Sequence, residues 1–155
     1  ERLPDGYATR LEDGTLLGDA LLEPTLLYSP VTEALADAGV VPHYCVNITG
    51  HGWRKLMRHR APFTYQIDVL PPVPPVLQFI QQHAAIDDRE AYGNLNMGGG
   101  FALFVASADA ERTVQVVRST GVNALIAGRV DNGSRKIVIA QLQLTFSGDD
   151  LHVRA

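Results

Sequence analysis

The sequence predicts an α+β fold in which helices pack on a layered, mixed β-sheet. Apolar residues alternate with period two in some segments and recur at helical spacing in others, and the two kinds of segment do not alternate strictly. The 155 residues suit a single domain, 1–155, and a hydrophobic fraction of 46% is enough for a sizeable core.

Composition argues against several classes of protein. The net charge of -4 is spread without long runs, so we expect no nucleic-acid partner. No apolar run approaches the roughly 18 residues of a membrane helix, and the polar start from Glu1 to Arg10 does not resemble a signal peptide. Cys45 is the only cysteine, which excludes an intrachain disulfide and suits a reducing cytoplasm; we expect it to be a small core side chain.

The first helix signal follows a loop-like entry over residues 1–18 and an extended segment over 19–27. Ser29 is a suitable N-cap, Pro30 suits the first helical position, and Gly39 suits the position after the helix. The elements expected next are a strand over 40–48, a short helix over 53–59, a strand over 63–70, helices over 76–83 and 87–92, a strand over 101–106 and a helix over 108–120.

A β-hairpin is predicted near the end of the chain. Residues 125–130 and 136–146 have the character of strands, and Asp131-Asn132-Gly133-Ser134 lies between them. Because Asn-Gly favours the turns that match strand twist, we expect the two strands to pair with each other.

The first candidate site is Asn47-Ile48-Thr49-Gly50-His51-Gly52. A strand that enters a glycine-containing turn and then a helix directs backbone N–H groups at one point, which suits phosphate. Thr49 adds a hydroxyl, His51 an imidazole, and Arg54 and Lys55 add positive potential. An ordinary tight turn explains the same spacing, since the segment is neither a P-loop nor a complete dinucleotide fingerprint.

The second candidate is Asn96-Met97-Gly98-Gly99-Gly100, just before a strand. Consecutive glycines cost backbone entropy, which favours a close approach of ligand or backbone. The Asn96 amide is suited to a polar substrate group. A flexible turn entering the strand is the equally weighted alternative.

Other polar residues lack a chemical pattern. Glu23 lies in an apolar neighbourhood that can perturb a carboxylate, but a surface carboxylate beside Pro24 is the simpler interpretation. The five histidines form no helical pair and have no acidic residue at metal-like spacing, so no metal site is expected from this chain alone. They are His43, His51, His59, His83 and His152. The serines lack the context of a nucleophile elbow, so a hydrolase triad is not expected.

Several segments together resemble the aminoimidazole ribonucleotide (AIR) synthetase family, also called phosphoribosylformylglycinamidine cyclo-ligase. Leu21-Leu22-Glu23-Pro24-Thr25 followed by Tyr28 is similar to its LLEPT..Y segment, and Ile48-Thr49-Gly50-His51-Gly52 to its ITGGG loop. Glu90-Ala91-Tyr92 and Asn96-Met97-Gly98 resemble its EMYRTFNMG segment. The resemblance spans roughly residues 14–145 with the segments in order.

The resemblance implies a two-domain enzyme of which this chain is the carboxy-terminal α+β domain. The amino-terminal ATP-binding domain is absent from this chain, and the start at Glu1 indicates a fragment. The family uses ATP and Mg²⁺, bound mainly by that absent domain, to convert formylglycinamidine ribonucleotide to aminoimidazole ribonucleotide in purine synthesis. We therefore expect no cofactor to be held by this chain alone, and a cytoplasmic homodimer as the parent.

The resemblance also implies which residues line the substrate or phosphate cleft. They are Asn47, Thr49, Gly50, His51, Gly52, Asn96 and Gly98. No catalytic residue is assigned. The chain departs from the family at His51, which replaces a glycine, and at Asn47, Gly93 and Leu95, which stand where many members have histidine, arginine and phenylalanine.

These departures leave two alternatives. The parent is either an active cyclo-ligase, or an inactive or repurposed nucleotide- or phosphate-binding module with the same fold. An ATP-binding segment upstream would favour the first.

Overall fold

A computed structural model describes residues 3–151, so the predicted positions beyond them, His152 included, lie outside the described residues. The α-helices are α1 (Leu17–Leu22), α2 (Ser29–Asp37), α3 (Pro75–His83), α4 (Asp88–Asn94) and α5 (Ala110–Ser119). The strands are β1 (Tyr44–Asn47), β2 (Phe63–Ile67), β3 (Phe101–Phe104), β4 (Gly128–Asn132), β5 (Lys136–Ile139) and β6 (Leu144–Ser147). Short 3-10 helices occupy Gly6–Ala8, Gly52–Arg58, Ser107–Asp109, Ala140–Leu142 and Gly148–Leu151.

The strands form two sheets, and the predicted α+β class is confirmed. The smaller sheet is the antiparallel pair β1–β3. The larger sheet has the order β4-β2-β5-β6, in which β2 and β5 run parallel and the other neighbours run antiparallel. The larger sheet is therefore mixed, as the sequence predicts.

The predicted hairpin between residues 125–130 and 136–146 is wrong, because β2 lies between β4 and β5. Thr64 of β2 is in register with Asp131 on one side and Lys136 on the other. The connection between β4 and β5 crosses the start of β2, where the Thr64 hydroxyl donates to the Ser134 carbonyl at 2.9 Å. Pairing with β2 on both sides overrides the local Asn132-Gly133 turn signal.

A true hairpin lies inside the segment predicted as one strand over 136–146. The chain reverses after Ile139 through the 3-10 turn Ala140–Leu142 and Gln143, which has a left-handed φ of +53°. Ile139 then pairs with Leu144 and Ile137 with Phe146. The reversal leaves both isoleucines and Phe146 buried in the largest apolar cluster.

The extended segment predicted over 19–27 is wrong in its first part, because Leu17–Leu22 forms α1. The entry before it is mostly irregular, with a 3-10 turn and a single bridge between Arg10 and Leu16. The helix ends at Leu22, and the next residue, Glu23, has an extended ψ of 129°. Pro24 explains this end, since a proline disfavours helical geometry in the residue before it.

The predicted end of α2 is confirmed in detail. Gly39 has a φ of +68°, its N–H donates to the Ala36 carbonyl at 2.9 Å, and the Val40 N–H reaches back to the Leu35 carbonyl at 2.9 Å. These two bonds form a Schellman motif. The start differs from the prediction: α2 already includes Ser29.

Two apolar clusters lie on opposite faces of the β1–β3 sheet. The main core contains Val46 and Ile48 and fills the space between the larger sheet, the 3-10 helix Gly52–Arg58 and α4. The second cluster joins α2 to α5 and is packed against Leu103. Cys45, opposite Leu103 in the register, is half-buried and unpaired. No helix within residues 3–151 is long and apolar enough to cross a membrane.

Candidate functional site

The two predicted glycine segments meet at one end of the β1–β3 sheet. Asn47 is in register with Phe101. Beyond the strands, the Ile48 N–H donates to the Gly100 carbonyl at 2.9 Å, and the Trp53 indole donates to the Asn96 carbonyl at 2.8 Å. The antiparallel pairing thus brings residues far apart in sequence to a common edge.

The first segment forms a tight turn. The Gly52 N–H donates to the Thr49 carbonyl at 2.6 Å and closes the turn. Asn47, Thr49 and Gly50 are exposed, and no atom lies within 4 Å of the position that a Gly50 side chain would take. His51 is half-buried and directly precedes the 3-10 helix. The open side of the turn is therefore at Gly50.

Gly52 has a packing role that the sequence does not reveal. It is buried with a φ of +52°, and a Cβ there would lie 2.2 Å from the Tyr92 carbonyl oxygen. The same Cβ would lie 2.7 Å from the Gly93 carbonyl carbon. Glycine is needed because the backbone of α4 lies directly against this residue.

The second segment is held by Asn96. Its side-chain oxygen accepts from the Gly98 N–H at 3.1 Å, and its carbonyl accepts from the Gly99 N–H at 2.9 Å. Gly98 has a φ of +92°, and a Cβ there would lie 2.2 Å from the Pro72 carbonyl oxygen. The Asn96 carboxamide oxygen thus stabilises the turn, and Gly98 packs on the proline-rich connector.

Tyr28 brings a third motif segment to the same edge. Its ring stacks on Phe101 with centroids 4.7 Å apart, and its hydroxyl occupies the space that a side chain at Gly100 would need, 2.1 Å from the Cβ position. Burial raises the pKa of the Tyr28 phenol. Tyr28 was not among the predicted site residues, although its place after the LLEPT segment is the signal that points to it.

The two basic residues expected to act together are separated. Arg54 turns towards α4, where its Nε donates to the Gly93 carbonyl at 2.8 Å. Lys55 instead points back along the turn and donates a hydrogen bond to the Thr49 hydroxyl. Burial, and secondarily the Arg58 charge, lower the pKa of Lys55. Positive charge at the turn therefore comes from Lys55.

Gly93 borders a shallow depression lined also by Arg54, Arg89 and Phe146. The Arg89 guanidinium lies 5.1 Å from the centre of the Phe146 ring. A Cβ at Gly93 would meet Phe146 at 3.6 Å, an ordinary contact. The glycine is thus not required by packing, and the carboxylate residue Glu90 lines the same depression as the two arginines.

Within residues 3–151, no group of three or more His, Cys, Asp or Glu side chains is arranged to hold a metal ion.

The family model described as "AIR synthase related protein, C-terminal domain" matches residues 5–141. This chain belongs to that family. The predicted resemblance is confirmed, and all the predicted site residues lie within the matched range.

Curated relatives point to the same branch of the family. A phosphoribosylformylglycinamidine cyclo-ligase of Methanococcus vannielii is 33% identical over 125 residues, which is 80% of this chain and 35% of the relative. The protein of that name from Methanocaldococcus jannaschii is 34% identical over 122 residues, 78% of this chain and 35% of the relative. The protein of that name from Agathobacter rectalis is 30% identical over 131 residues, which is 81% of this chain and 38% of the relative. The matched part of this AIR synthase-related chain thus corresponds to little more than a third of each relative.

Proposed function

We propose that this chain is the carboxy-terminal half of an ATP-dependent cyclo-ligase that converts formylglycinamidine ribonucleotide to aminoimidazole ribonucleotide in cytoplasmic purine synthesis. The observation that carries the proposal is the meeting of three family-like segments at one sheet edge: Tyr28, the Thr49–Gly52 turn and the Asn96–Gly100 turn. The curated relatives that match most of this chain are named for that activity.

In this proposal the chain supplies one wall of the cleft. ATP with Mg²⁺, bound mainly by the other half of the polypeptide, supplies the phosphoryl group that activates the substrate amide oxygen. The exposed Thr49–Gly50 edge and the half-buried His51 orient the substrate's anionic group. Orientation and exclusion of water contribute most of the rate in such a reaction, because a bound, aligned reactant avoids the entropy of encounter.

An exposed apolar segment next to the site supports an amino-terminal partner domain. Leu21, Leu22, Leu26 and Leu27 have exposed fractions of 51%, 82%, 51% and 73%. They lead directly into Tyr28, which contacts Gly100. Clustered exposed leucines mark interaction surfaces in folded proteins. The proposed occupant is the ATP-binding domain of the same polypeptide, within a homodimer formed mainly through that domain.

The test is an assay of the longest polypeptide that contains this sequence. With formylglycinamidine ribonucleotide and ATP, we expect ADP release that depends on both substrates, whereas the 155-residue chain alone is expected to be silent. Thr49→Ala should lower kcat/KM by about tenfold, the value of one hydrogen bond to a charged group. Thr32→Ala, an exposed threonine on α2, is the matched control.

ADP release no faster than without substrate would refute the proposal. The alternative function, an inactive or repurposed nucleotide- or phosphate-binding module with the same fold, would then be favoured.

A further inference from the structure

The sequence pair Asn132-Gly133 has no part in the proposed function and does not form the turn that it favours. Asn-Gly is typical of a two-residue hairpin turn. Here the pair lies at the end of β4, where the chain leaves the edge of the larger sheet and crosses the start of β2. Asn132 is the last residue of β4 and is in register with Phe63, the first residue of β2.

The Asn132 carboxamide is open to solvent. The residue is exposed, and among residues 3–151 no group forms a hydrogen bond with its side chain. It also occupies the last position of an edge strand, which pairs with β2 alone. The ends of such strands open at little cost in free energy, because few contacts hold them. The side chain is therefore able to fold over the following peptide group without first breaking a hydrogen bond of its own.

Gly133 supplies the peptide nitrogen that follows this carboxamide. It lies in a bend outside the helices and strands. When a peptide nitrogen attacks the side-chain carbonyl carbon of the preceding asparagine, a cyclic imide forms. A side chain on the attacking residue would hinder this approach, and glycine has none. The pair thus combines an accessible carboxamide with an unhindered nucleophile.

We propose that Asn132 is a site of spontaneous deamidation. The Gly133 nitrogen loses its proton to base in the solvent and forms a bond to the Asn132 side-chain carbonyl carbon. The bond from that carbon to Nδ2 breaks, ammonia leaves, and a succinimide remains. Water opens the ring at either carbonyl: attack at the former side chain gives aspartate, and attack at the backbone carbonyl gives isoaspartate. The net reaction consumes water and releases ammonia in equal amounts.

Three of the other asparagines are hindered or engaged. The residue after Asn47 is Ile48, which is β-branched and whose N–H donates to a backbone carbonyl at 2.9 Å. The side-chain oxygens of Asn94 and Asn96 each accept a hydrogen bond at 3.1 Å. Ring closure at these positions requires the loss of an existing contact, so we expect them to react more slowly than Asn132.

Asn123 is the matched comparison within the same molecule. It is exposed, and its carboxamide likewise has no hydrogen-bond partner in the described part of the chain. The residue after it is Ala124 instead of a glycine. The difference in rate between Asn132 and Asn123 therefore reports on the glycine and on the place at the end of a strand.

Isoaspartate would disturb the connection between β4 and β5. It carries the main chain through the former side chain and so adds a methylene group to the backbone. The connection is held where the Thr64 hydroxyl donates to the Ser134 carbonyl at 2.9 Å. The added atom must displace either this bond or the pairing of Asn132 with Phe63. Aspartate leaves the backbone unchanged, and its carboxylate lies on the opposite face from Asp131, because side chains alternate along a strand.

The test uses the longest polypeptide that contains this sequence, incubated at mildly alkaline pH. Peptide mapping by mass spectrometry follows the replacement of the amide group by a carboxyl group at each asparagine, and an isoaspartyl methyltransferase labels isoaspartate. We expect both signals at Asn132 to grow with time and to grow faster as the pH rises, because the attacking nitrogen must lose its proton. Asn123 should stay unchanged over the same period. Gly133→Ala and Asn132→Gln should each suppress the reaction, the first by hindering the nucleophile and the second by enlarging the ring.

The comparison of Asn132 with Asn123 is made in one molecule, so it does not depend on the folding of a variant. Urea unfolding then compares the products: Asn132→Asp should keep the midpoint of the parent, and the isoaspartyl fraction should unfold at a lower urea concentration. Deamidation of Asn132 no faster than that of Asn123, or undiminished by Gly133→Ala, would overturn the proposed site. An isoaspartyl fraction that unfolds like the parent would overturn the expected effect on the connection.

Discussion

Gly52→Ala tests whether this glycine is required for packing. Its φ of +52° is left-handed, which costs a residue with a Cβ about 1–2 kcal/mol. The new methyl group would also lie 2.2 Å from the Tyr92 carbonyl oxygen, and the neighbours are backbone atoms that do not rotate away. Overpacking of this kind adds about 1–3 kcal/mol. We therefore expect the free energy of unfolding to fall by about 2–5 kcal/mol in total.

Two matched variants separate the contributions to this loss. Gly39→Ala has the left-handed backbone, with φ +68°, but no atom within 4 Å, so it should cost only the conformational part, about 1–2 kcal/mol. Gly50→Ala has open space and no left-handed φ, so it should stay within about 0.5 kcal/mol of the parent. Urea denaturation measures all three. If Gly52→Ala is no less stable than Gly39→Ala, the packing argument is wrong.

Four further substitutions or reactions test other parts of the structure. Asp87→Ala should lower the free energy of unfolding in urea by about 1 kcal/mol, because the Asp87 carboxylate caps α4 by accepting from the Glu90 N–H at 2.7 Å. Asp87→Asn should keep most of that stability, because asparagine is also a good N-cap. Ile137→Val should cost about 0.5–1.5 kcal/mol, since the side chain is fully buried, and a smaller loss would contradict close packing there. Burial raises the pKa of the Cys45 thiol, so iodoacetamide should alkylate Cys45 more slowly at pH 8 in the folded chain than in the urea-unfolded chain. In the folded chain the alkylation rate should still rise as the pH passes the ordinary pKa of a thiol. Equal rates in the two states would contradict this. Arg129→Ala should lower the free energy of unfolding by less than about 1 kcal/mol, because its ion pairs with Asp68 and Asp131 are exposed to solvent. A larger loss would mean that solvent does not screen these ion pairs.

Local signals in the sequence predicted the helices better than the strand order. Gly39 follows the C-cap residue of α2, and Gly121, with φ +83°, follows the C-cap residue of α5. Both conformations depend on the residue itself and its nearest neighbours. The larger sheet depends on partners far along the chain. The Asn132-Gly133 turn signal carries no information about β2, which lies 65 or more residues earlier in the chain. In the sheet, β2 pairs with β4 on one side and with β5 on the other, so β4 and β5 do not pair with each other.

The sequence predicted the two glycine turns of the candidate site but not what each glycine contacts. Family-like motifs pointed to both turns, and the β1–β3 pairing brings them together. A run of glycines looks the same whether a ligand or another backbone approaches it, so composition alone does not distinguish the two. The contacts do: Gly52 faces the Tyr92 carbonyl and Gly98 the Pro72 carbonyl, whereas Gly50 faces open space. Of these three glycines, Gly50 alone therefore leaves its Cα open to approach, and it lies next to Thr49, to which Lys55 reaches back.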